Sequence, residues 1–526
     1  MEFRTEAPCD DIELISEWPV TESPDREDTE SEDTTFSTYS NKTNSALLGI
    51  STKEANDNSD VERRKKKSLD VHNEKKKPRL DNVDFAEAAL ARWWRHQGRK
   101  LFTDKNLPKS TNPNTLLYWV SRTEAGQTFL SNEKHRLKKS LKQGQTTASV
   151  SAALASVEER LGDLDSAARH LDTAVSHDPH NNQYQWMVEK VKRQRDVKEK
   201  QKRMMTLLPS ELLLPSATQV DRVSSNELTV EEFYMKYAKT RTPVIITDMA
   251  EKMTRGPWTL QHIKNVAGDC SAVLKKPVTD SVEWARLEDA KSVVVKDFID
   301  NVISADGDRD LYLFDWSLPQ HCLPLAEELN IPKYFAGDYL QRLSPGSQYR
   351  DTWPSLFIAA AGLRSELHVD TFGSNFWMAL FQGRKKWILY PAEEQCLLYP
   401  QLLQSMDPTF EVDVTKPDLD RFPLLSLTHP VQCILQPGDL LFVPAGCPHH
   451  ITNLETSVAI SANFVDSSNF DCVVEELRIN ALIDPRAADL VKQMQSSEFK
   501  ATQDFNIGDL HWNDFKKWPH DKILNQ

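Results

Sequence analysis

The sequence carries a histidine and an aspartate two positions apart, His368 and Asp370. Alternate residues of a β-strand point to the same face, so both side chains could aim at one point. A second histidine, His449, follows 79 residues after Asp370, directly behind a Pro-Ala-Gly corner at 444–446. Two imidazoles and one carboxylate are the donor set that holds non-haem ferrous iron and leaves positions open for oxygen. The pattern therefore predicts His368, Asp370 and His449 as metal ligands.

A lysine lies close to this constellation in the sequence. Lys385 follows Asp370 by 15 residues, in a segment with strand character. A buried ammonium group needs an anion, and the far carboxylate of 2-oxoglutarate would supply one. Ser365 offers a hydroxyl to the same carboxylate, and Ser461, on the last predicted strand, could face the metal. The residues thus predict Fe(II), 2-oxoglutarate and O2 as cofactors.

Two residues next to His449 offer alternative interpretations. His450 faces the opposite way on a strand, so it is expected to be an outward or satisfied core imidazole. The Cys447 thiol could be an additional, soft ligand of the metal, but we expect Cys447 to be a small buried residue without a metal-binding role.

Short β-rich runs, separated by proline and glycine, fill residues 215–466 and predict a sandwich or barrel. These runs lie at 242–247, 311–314, 375–381, 386–390, 433–443 and 458–464. Helical patterns flank them at 85–205 and 467–526, with C-terminal helices expected at 470–481 and 485–495.

Within this frame, residues 230–466 resemble a JmjC domain of the 2-oxoglutarate/Fe(II) oxygenase superfamily. They are most similar to the small hydroxylases of the branch with the phosphatidylserine-receptor-like lysyl hydroxylase. The motifs that carry the resemblance lie at 241–245, 311–315, 331–335, 365–370, 383–387, 417–423 and 438–444.

The resemblance implies a mainly β catalytic domain with a double-stranded β-helix, the cupin-like jelly roll. It also implies that Tyr312 joins Lys385 and Ser365 in binding 2-oxoglutarate, and that Ser461 and Asn463 line the last strand. One departure concerns the pocket mouth, because residues 447–448 are Cys-Pro where this branch usually has two aromatic residues.

The helical region contains a stretch, 153–180, that resembles one tetratricopeptide repeat. A single repeat cannot bury a solenoid core, so an ordinary helical hairpin packed on the next domain is the slightly favoured interpretation. The highly charged helix expected at 189–205 is interpreted as a spacer.

Residues 1–84 are predicted to be a disordered acidic tail, because residues 1–60 hold 16 acidic residues against four basic ones. Two basic clusters, at 63–67 and 75–79, are typical of a bipartite nuclear-import signal. A solvated charge run or a weak nucleic-acid contact is the alternative. We therefore expect a nuclear-import receptor as a partner and a nuclear location, with the cytoplasm left open.

The remaining composition excludes several classes of protein. No apolar run approaches the ~20 residues that cross a bilayer, so no membrane span is expected. The first residues lack an apolar segment, so no secretory signal is expected. The seven cysteines are odd in number and never form CxxC, which indicates reduced thiols in the cytosol or nucleus.

Together these features predict an Fe(II)/2-oxoglutarate dioxygenase. Its expected substrate is a side chain of a nuclear protein, which it hydroxylates or demethylates through hydroxylation. A catalytically weak scaffold that recruits a chaperone through its helices is one alternative. A tRNA-base hydroxylase is another, although residues 215–466 lack a strong basic patch with interleaved aromatics. A homodimer through the C-terminal helices is a further possibility.

Overall fold

The computed structural model describes most of the chain beyond its N-terminal segment. The described residues are 84–97, 110, 112–144, 147–303, 307, 309–496, 499 and 502–517. The predicted acidic tail, apart from Asp84, and both basic clusters lie outside these residues.

Among the described residues, six helices precede the β-rich region, and further helices lie within and after it. The first six are α1 Phe85–His96, α2 Pro113–Arg122, α3 Glu124–Lys142, α4 Ala148–Arg160, α5 Leu164–His177 and α6 Asn182–Met205. The later ones are α7 Val230–Phe233, α8 Leu260–Ala267, α9 Val295–Ile303, α10 Leu318–His321, α11 Leu323–Ala326, α12 Phe470–Asn480 and α13 Pro485–Met494.

The strands begin after the sixth helix and are mostly short. The first nine are β1 Thr218–Gln219, β2 Asp221–Ser224, β3 Val244–Thr247, β4 Ser271–Pro277, β5 Leu287–Val294, β6 Tyr312–Ser317, β7 Asn330–Ile331, β8 Ser355–Ala359 and β9 Arg364–His368. The others are β10 Asn375–Gln382, β11 Lys385–Leu389, β12 Pro400–Gln401, β13 Thr409–Phe410, β14 Val431–Leu435, β15 Leu440–Val443, β16 His449–Asn453, β17 Ser457–Phe464 and β18 Leu510–His511.

Two sheets share one hydrophobic core. The larger has the strand order β2-β3-β15-β10-β17-β8-β6-β4-β5, and the smaller has the order β1-β14-β11-β16-β9. Side chains of both sheets belong to the same buried cluster, among them Phe442 of the larger sheet and Leu435 of the smaller. The prediction of a mainly β domain built from many short strands is therefore confirmed.

Strand β10 shows how the alternation of side chains separates the two faces of the larger sheet. Phe376 contacts the rings of Trp387 and His449 on the smaller sheet. Trp377, the next residue, stacks on Phe335 outside the sheet, with ring centroids 5.5 Å apart. The even positions of β10 thus face the space between the sheets, where the site residues lie.

The helices α4 and α5 form an antiparallel hairpin that packs on α6. Small buried side chains, including Ala155 and Ala167, allow the two helices to approach closely. The same core includes Met406 and Ile479 from the β-rich and C-terminal regions. The hairpin is therefore packed directly on the neighbouring domain.

The expectation that residues 189–205 form a spacer was wrong. On α6, Arg193 forms a bidentate ion pair with Glu476, with N–O distances of 2.8 and 3.0 Å. Further along the helix, Gln201 Nε2 donates to the Cys396 carbonyl at 2.9 Å. Residues 189–205 therefore contact the C-terminal helices and the β-rich region directly.

The C-terminal region packs on its own chain. The buried residues Leu477 of α12 and Leu490 of α13 share a core with Tyr339 and Phe372. Beyond them, Leu510 pairs with Ile331 of β7, and Trp512 is buried against the main core. Homodimerisation through these helices stays a prediction. Among the described residues, no helix combines the length and the apolar character of a bilayer span.

The turn that leads into β11 requires glycine at position 383. Gly383 has a φ of +80°, and a Cβ there would lie 2.4 Å from the Thr456 carbonyl oxygen. Gly362, between β8 and β9, has a φ of +93° but no atom within 4 Å of such a Cβ. The two glycines therefore share the left-handed backbone but differ in available space.

We expect Gly362→Ala to lower the free energy of unfolding by about 1–2 kcal/mol, the cost of a left-handed alanine. Gly383→Ala should cost about 1–3 kcal/mol more, because the methyl group also overlaps the backbone of residue 456. Urea unfolding of both full-length variants measures the difference. Equal midpoints for the two variants would contradict this account of the turn.

Candidate metal and co-substrate site

The three predicted metal ligands converge on one point between the sheets. His368 ends β9, and its register partner on β16 is His449. Asp370 follows two residues after His368, and one potential ligand atom from each of the three residues lies within 4.8 Å of the others. All three side chains are buried, with exposed fractions of 3%, 8% and 1% for His368, Asp370 and His449.

Backbone carbonyls fix the orientation of both imidazoles. His368 Nδ1 lies 2.6 Å from the Glu366 carbonyl oxygen, and His449 Nδ1 lies 3.0 Å from the Cys447 carbonyl oxygen. These contacts place the ring proton on Nδ1, which leaves the Nε2 lone pair of each ring for a metal.

The electrostatics of the three residues suit a cation. Burial lowers the pKa of His449 to about 4 and holds that of His368 well below its usual range, so both rings are neutral. Burial, together with Asp315 and Asp407, raises the pKa of Asp370 to about 8. A divalent cation between them would supply the positive charge that this carboxylate lacks.

A second polar cluster, the Lys385 chamber, consists of Lys385, Tyr312, Ser365 and Asn453. Their exposed fractions are 0%, 1%, 0% and 0%. Lys385 Nζ donates to Asn453 Oδ1 at 2.7 Å and to the Tyr312 hydroxyl at 3.3 Å. Within the described part of the chain Lys385 has no carboxylate partner, and burial lowers its pKa to about 7.

Polar atoms without partners indicate that the chamber fits a bound anion. Ser365 Oγ and Ser461 Oγ are buried and have no hydrogen-bond partner among the described residues. Burial raises the pKa of Tyr312 to about 12, so its hydroxyl stays protonated and able to donate. A buried lysine and unpaired hydroxyls are costly unless a ligand satisfies them. A carboxylate of 2-oxoglutarate matches this donor set.

The last strand contributes the two polar residues expected from the sequence. Ser461 and Asn463 lie two positions apart on β17 and so share one face. Asn463 Nδ2 donates to Ser374 Oγ at 2.8 Å. Asn463 also acts on Asp370, where it partly opposes the rise in pKa that burial causes.

The neighbours of His449 take other roles. His450 is buried and points away from the site, with Nε2 3.5 Å from a Glu366 carboxylate oxygen. Cys447 is also buried, and its thiol donates to the Tyr390 carbonyl at 3.1 Å.

Two residues of the site were missed by the sequence reasoning. Asn453 lies four positions after His449 on β16, so a count of alternate strand positions could have found it. Trp284 packs its ring edge against His368, with centroids 4.3 Å apart. No spacing in the sequence connects Trp284 to the ligands, because it comes from the loop between β4 and β5.

Comparison with known proteins agrees with this geometry. Residues 230–471 match the family described as a cupin-like domain. The chain is 32% identical over 259 residues to lysine-specific demethylase 8 of Danio rerio, which is 48% of this chain and 60% of that protein. It is 27% identical over 271 residues to the bifunctional arginine demethylase and lysyl-hydroxylase psr-1 of Caenorhabditis elegans, which is 50% of this chain and 65% of the relative.

The name of a third relative includes iron and 2-oxoglutarate. Over 163 residues the chain is 31% identical to the 2-oxoglutarate and iron-dependent oxygenase JMJD4 of Gallus gallus, covering 30% of this chain and 37% of that protein. The cupin-like domain of this chain belongs to the JmjC oxygenase family. The predicted cupin-like jelly roll is confirmed for residues 230–471, and the described residues include a His-Asp-His group that could hold a metal ion. The chain spans less than two thirds of the length of each of these relatives.

The pKa of Lys385 gives the JmjC domain a testable pH dependence. With a pKa of about 7 in the ligand-free chamber, Lys385 must take up a proton when an anion binds above that pH. The affinity for 2-oxoglutarate should therefore fall about tenfold per pH unit above pH 7 and stay level below it. Calorimetric titrations at saturating Mn²⁺, a redox-inert stand-in for Fe(II), measure this dependence.

Two arginine variants provide the controls. Lys385→Arg carries a permanent charge and should lose the pH dependence, whereas Lys386→Arg, at an exposed position, should keep it. An affinity that is constant from pH 6 to 9 in the unmodified protein would contradict a depressed pKa at Lys385.

Proposed function

We propose that this protein is an Fe(II)- and 2-oxoglutarate-dependent oxygenase that hydroxylates a side chain of another protein. The observation that carries the proposal is the convergence of His368, Asp370 and His449 beside a buried lysine without a carboxylate partner in the described structure. A structural metal site would have no need of the Lys385 chamber. An oxygenase needs both groups of residues: the three ligands to hold the metal, and the Lys385 chamber to hold the co-substrate.

One group of side chains would hold the metal, and a second group would hold the co-substrate. Fe(II) with 2-oxoglutarate would supply the oxidation of a C–H bond by O2, with succinate and carbon dioxide as co-products. His368, Asp370 and His449 would hold such an ion, and three ligands of this kind would leave coordination positions for the co-substrate and O2. Lys385, with Tyr312 and Ser365, would hold the far carboxylate. The closed walls of the sheets exclude water from the oxidising site.

The substrate class follows from the chemistry and is supported by the relatives. Hydroxylation of an N-methyl carbon gives N–CH2OH, whose C–N bond breaks to leave N–H and formaldehyde. Hydroxylation of a side-chain carbon that is not bonded to nitrogen gives a stable alcohol, so one site can demethylate or hydroxylate. The relatives are named for both outcomes, on lysine and on arginine side chains. The proposed substrate is therefore a basic side chain of a protein. The basic clusters at 63–67 and 75–79 support a nuclear substrate and a nuclear-import receptor as a partner.

The first test concerns the metal and turnover. Asp370→Ala should lose stoichiometric Fe(II) binding and lower succinate formation from 2-oxoglutarate at least ~100-fold, because the carboxylate ligand is gone. Asp300→Ala, at an exposed carboxylate on α9, should leave both unchanged. Iron content by atomic absorption and succinate by mass spectrometry are the readouts. Normal iron content in Asp370→Ala, or no succinate from the unmodified protein, would favour the scaffold alternative.

The second test concerns the substrate. Proteins trapped by the Asp370→Ala variant in a nuclear extract are incubated with the active protein and analysed by peptide mass spectrometry. We expect the gain of one oxygen or the loss of a methyl group at lysine or arginine. The modification should be absent when the Asp370→Ala variant replaces the active protein. Modification of co-purifying tRNA, with unchanged peptides, would instead support the tRNA-base alternative.

A further inference from the structure

A tryptophan outside the two sheets braces the segment that carries two metal ligands. The Trp284 ring meets His368 edge-on, at 4.3 Å between centroids and an interplanar angle of 69°. Trp284 Nε1 also donates to the Val369 carbonyl at 2.9 Å. Val369 lies between His368 and Asp370, so one side chain fixes both a ligand ring and the backbone between the two ligands.

Trp284 lies in a loop in which two non-glycine residues have an unfavourable left-handed backbone conformation. The Trp284 loop, residues 278–286, joins β4 to β5 and is closed by the Val278 N–H, which donates to the Arg286 carbonyl at 3.0 Å. Both Ala285 and Arg286 have a φ of +53°. Non-glycine residues hold this left-handed conformation only when their surroundings enforce it. Something outside the loop must therefore hold it.

The helical region supplies these contacts. We call residues 110 and 112–115 the α2 end, because they lie at the start of α2 or shortly before it. The Val282 N–H donates to Thr115 Oγ1 at 3.2 Å, and both Asn112 Nδ2 and Asn114 Nδ2 donate to Glu283 Oε1, at 2.9 and 3.0 Å. These bonds grip the two residues directly before Trp284.

The β5 side of the loop is held in the same way. Glu288 is buried, and its Oε1 accepts from Ser110 Oγ at 2.6 Å and from Thr115 Oγ1 at 3.3 Å. Farther along α2, Trp119 Nε1 donates to the Asp280 carbonyl at 2.7 Å. Thr115 is fully buried and bonds to both sides of the loop, so it is the centre of this contact.

We propose that the α2 end positions the metal site: it holds the Trp284 loop so that Trp284 braces His368 and Val369. Thr115 and Trp284 are thus positioning residues for the metal ligands. The proposal rests on the proposed metal site and gives the helical region a role in it. If the contact merely joined two domains, its loss would lower stability without changing metal binding.

The test measures binding of Co²⁺ to the metal-free full-length protein, by calorimetry and by the visible absorption of the bound ion. Thr115→Val keeps the side-chain volume but removes the hydroxyl. It should raise the dissociation constant for Co²⁺ about tenfold, as loss of an indirect support of a ligand does, and alter the absorption band. Thr115→Ser retains the hydroxyl and should restore both.

A second variant and a matched control separate positioning from stability. Trp284→Phe keeps a ring beside His368 but loses the donor to Val369, so it should also weaken Co²⁺ binding. Ser121→Ala removes another buried hydroxyl of α2, which bonds only to the Tyr118 carbonyl of the same helix. It should leave Co²⁺ binding unchanged, even where thermal melting shows a loss of stability.

Each outcome decides between the two proposals. If Thr115→Val and Trp284→Phe bind Co²⁺ like the unmodified protein, the positioning role is wrong while the metal site stands. If Thr115→Val does not fold, Trp284→Phe alone decides. If the unmodified protein binds no Co²⁺, the metal site and the positioning role both fail.

Discussion

The pairing of β9 with β16 is the constraint on which the site depends. It sets His368 directly opposite His449, and the ring centroids lie 4.2 Å apart. A shift of the register by one residue would turn one histidine out of the space between the sheets. The neighbouring pair, β16 with β11, sets Asn453 opposite Lys385 in the same way. One strand, β16, therefore aligns the metal ligands with the Lys385 chamber.

Burial of charge explains why this arrangement points to ligands. Lys385 is fully buried with neutral oxygens as its hydrogen-bond partners, and Asp370 is held near other carboxylates. Each group shifts its pKa toward the neutral form, which is the response expected when no counter-charge is present. A cation beside Asp370 and a dianion between that cation and Lys385 would compensate both. Burying these two groups without a counter-charge is costly, and a metal and a co-substrate would offset that cost.

Much of this could be read from the sequence, because the signals were local. The His-x-Asp spacing and the strand periodicity depend on residues close together in the chain, and Lys385 follows Asp370 by only 15 residues. The ends of the C-terminal helices agree within two residues. The role of α6 and the contact of Trp284 with His368 could not be predicted, since both depend on packing between segments far apart in the chain. Asn453 is an intermediate case, because it could have been predicted only by counting alternate positions along β16 from His449.

Several contacts missed by the sequence reasoning join the helical region to the β-rich domain or to the C-terminal helices. Arg193 of α6 forms an ion pair with Glu476 of α12, Tyr118 of α2 donates to Gln401 at 2.8 Å, and Thr115 holds the Trp284 loop. Each polar contact of this kind contributes little to the free energy of folding, but its geometry fixes the relative orientation of the two segments that it joins. A region that merely tethered a partner would gain nothing from such precise bonds to the loop beside a metal ligand. The distribution of these bonds therefore favours a helical region that takes part in shaping the site.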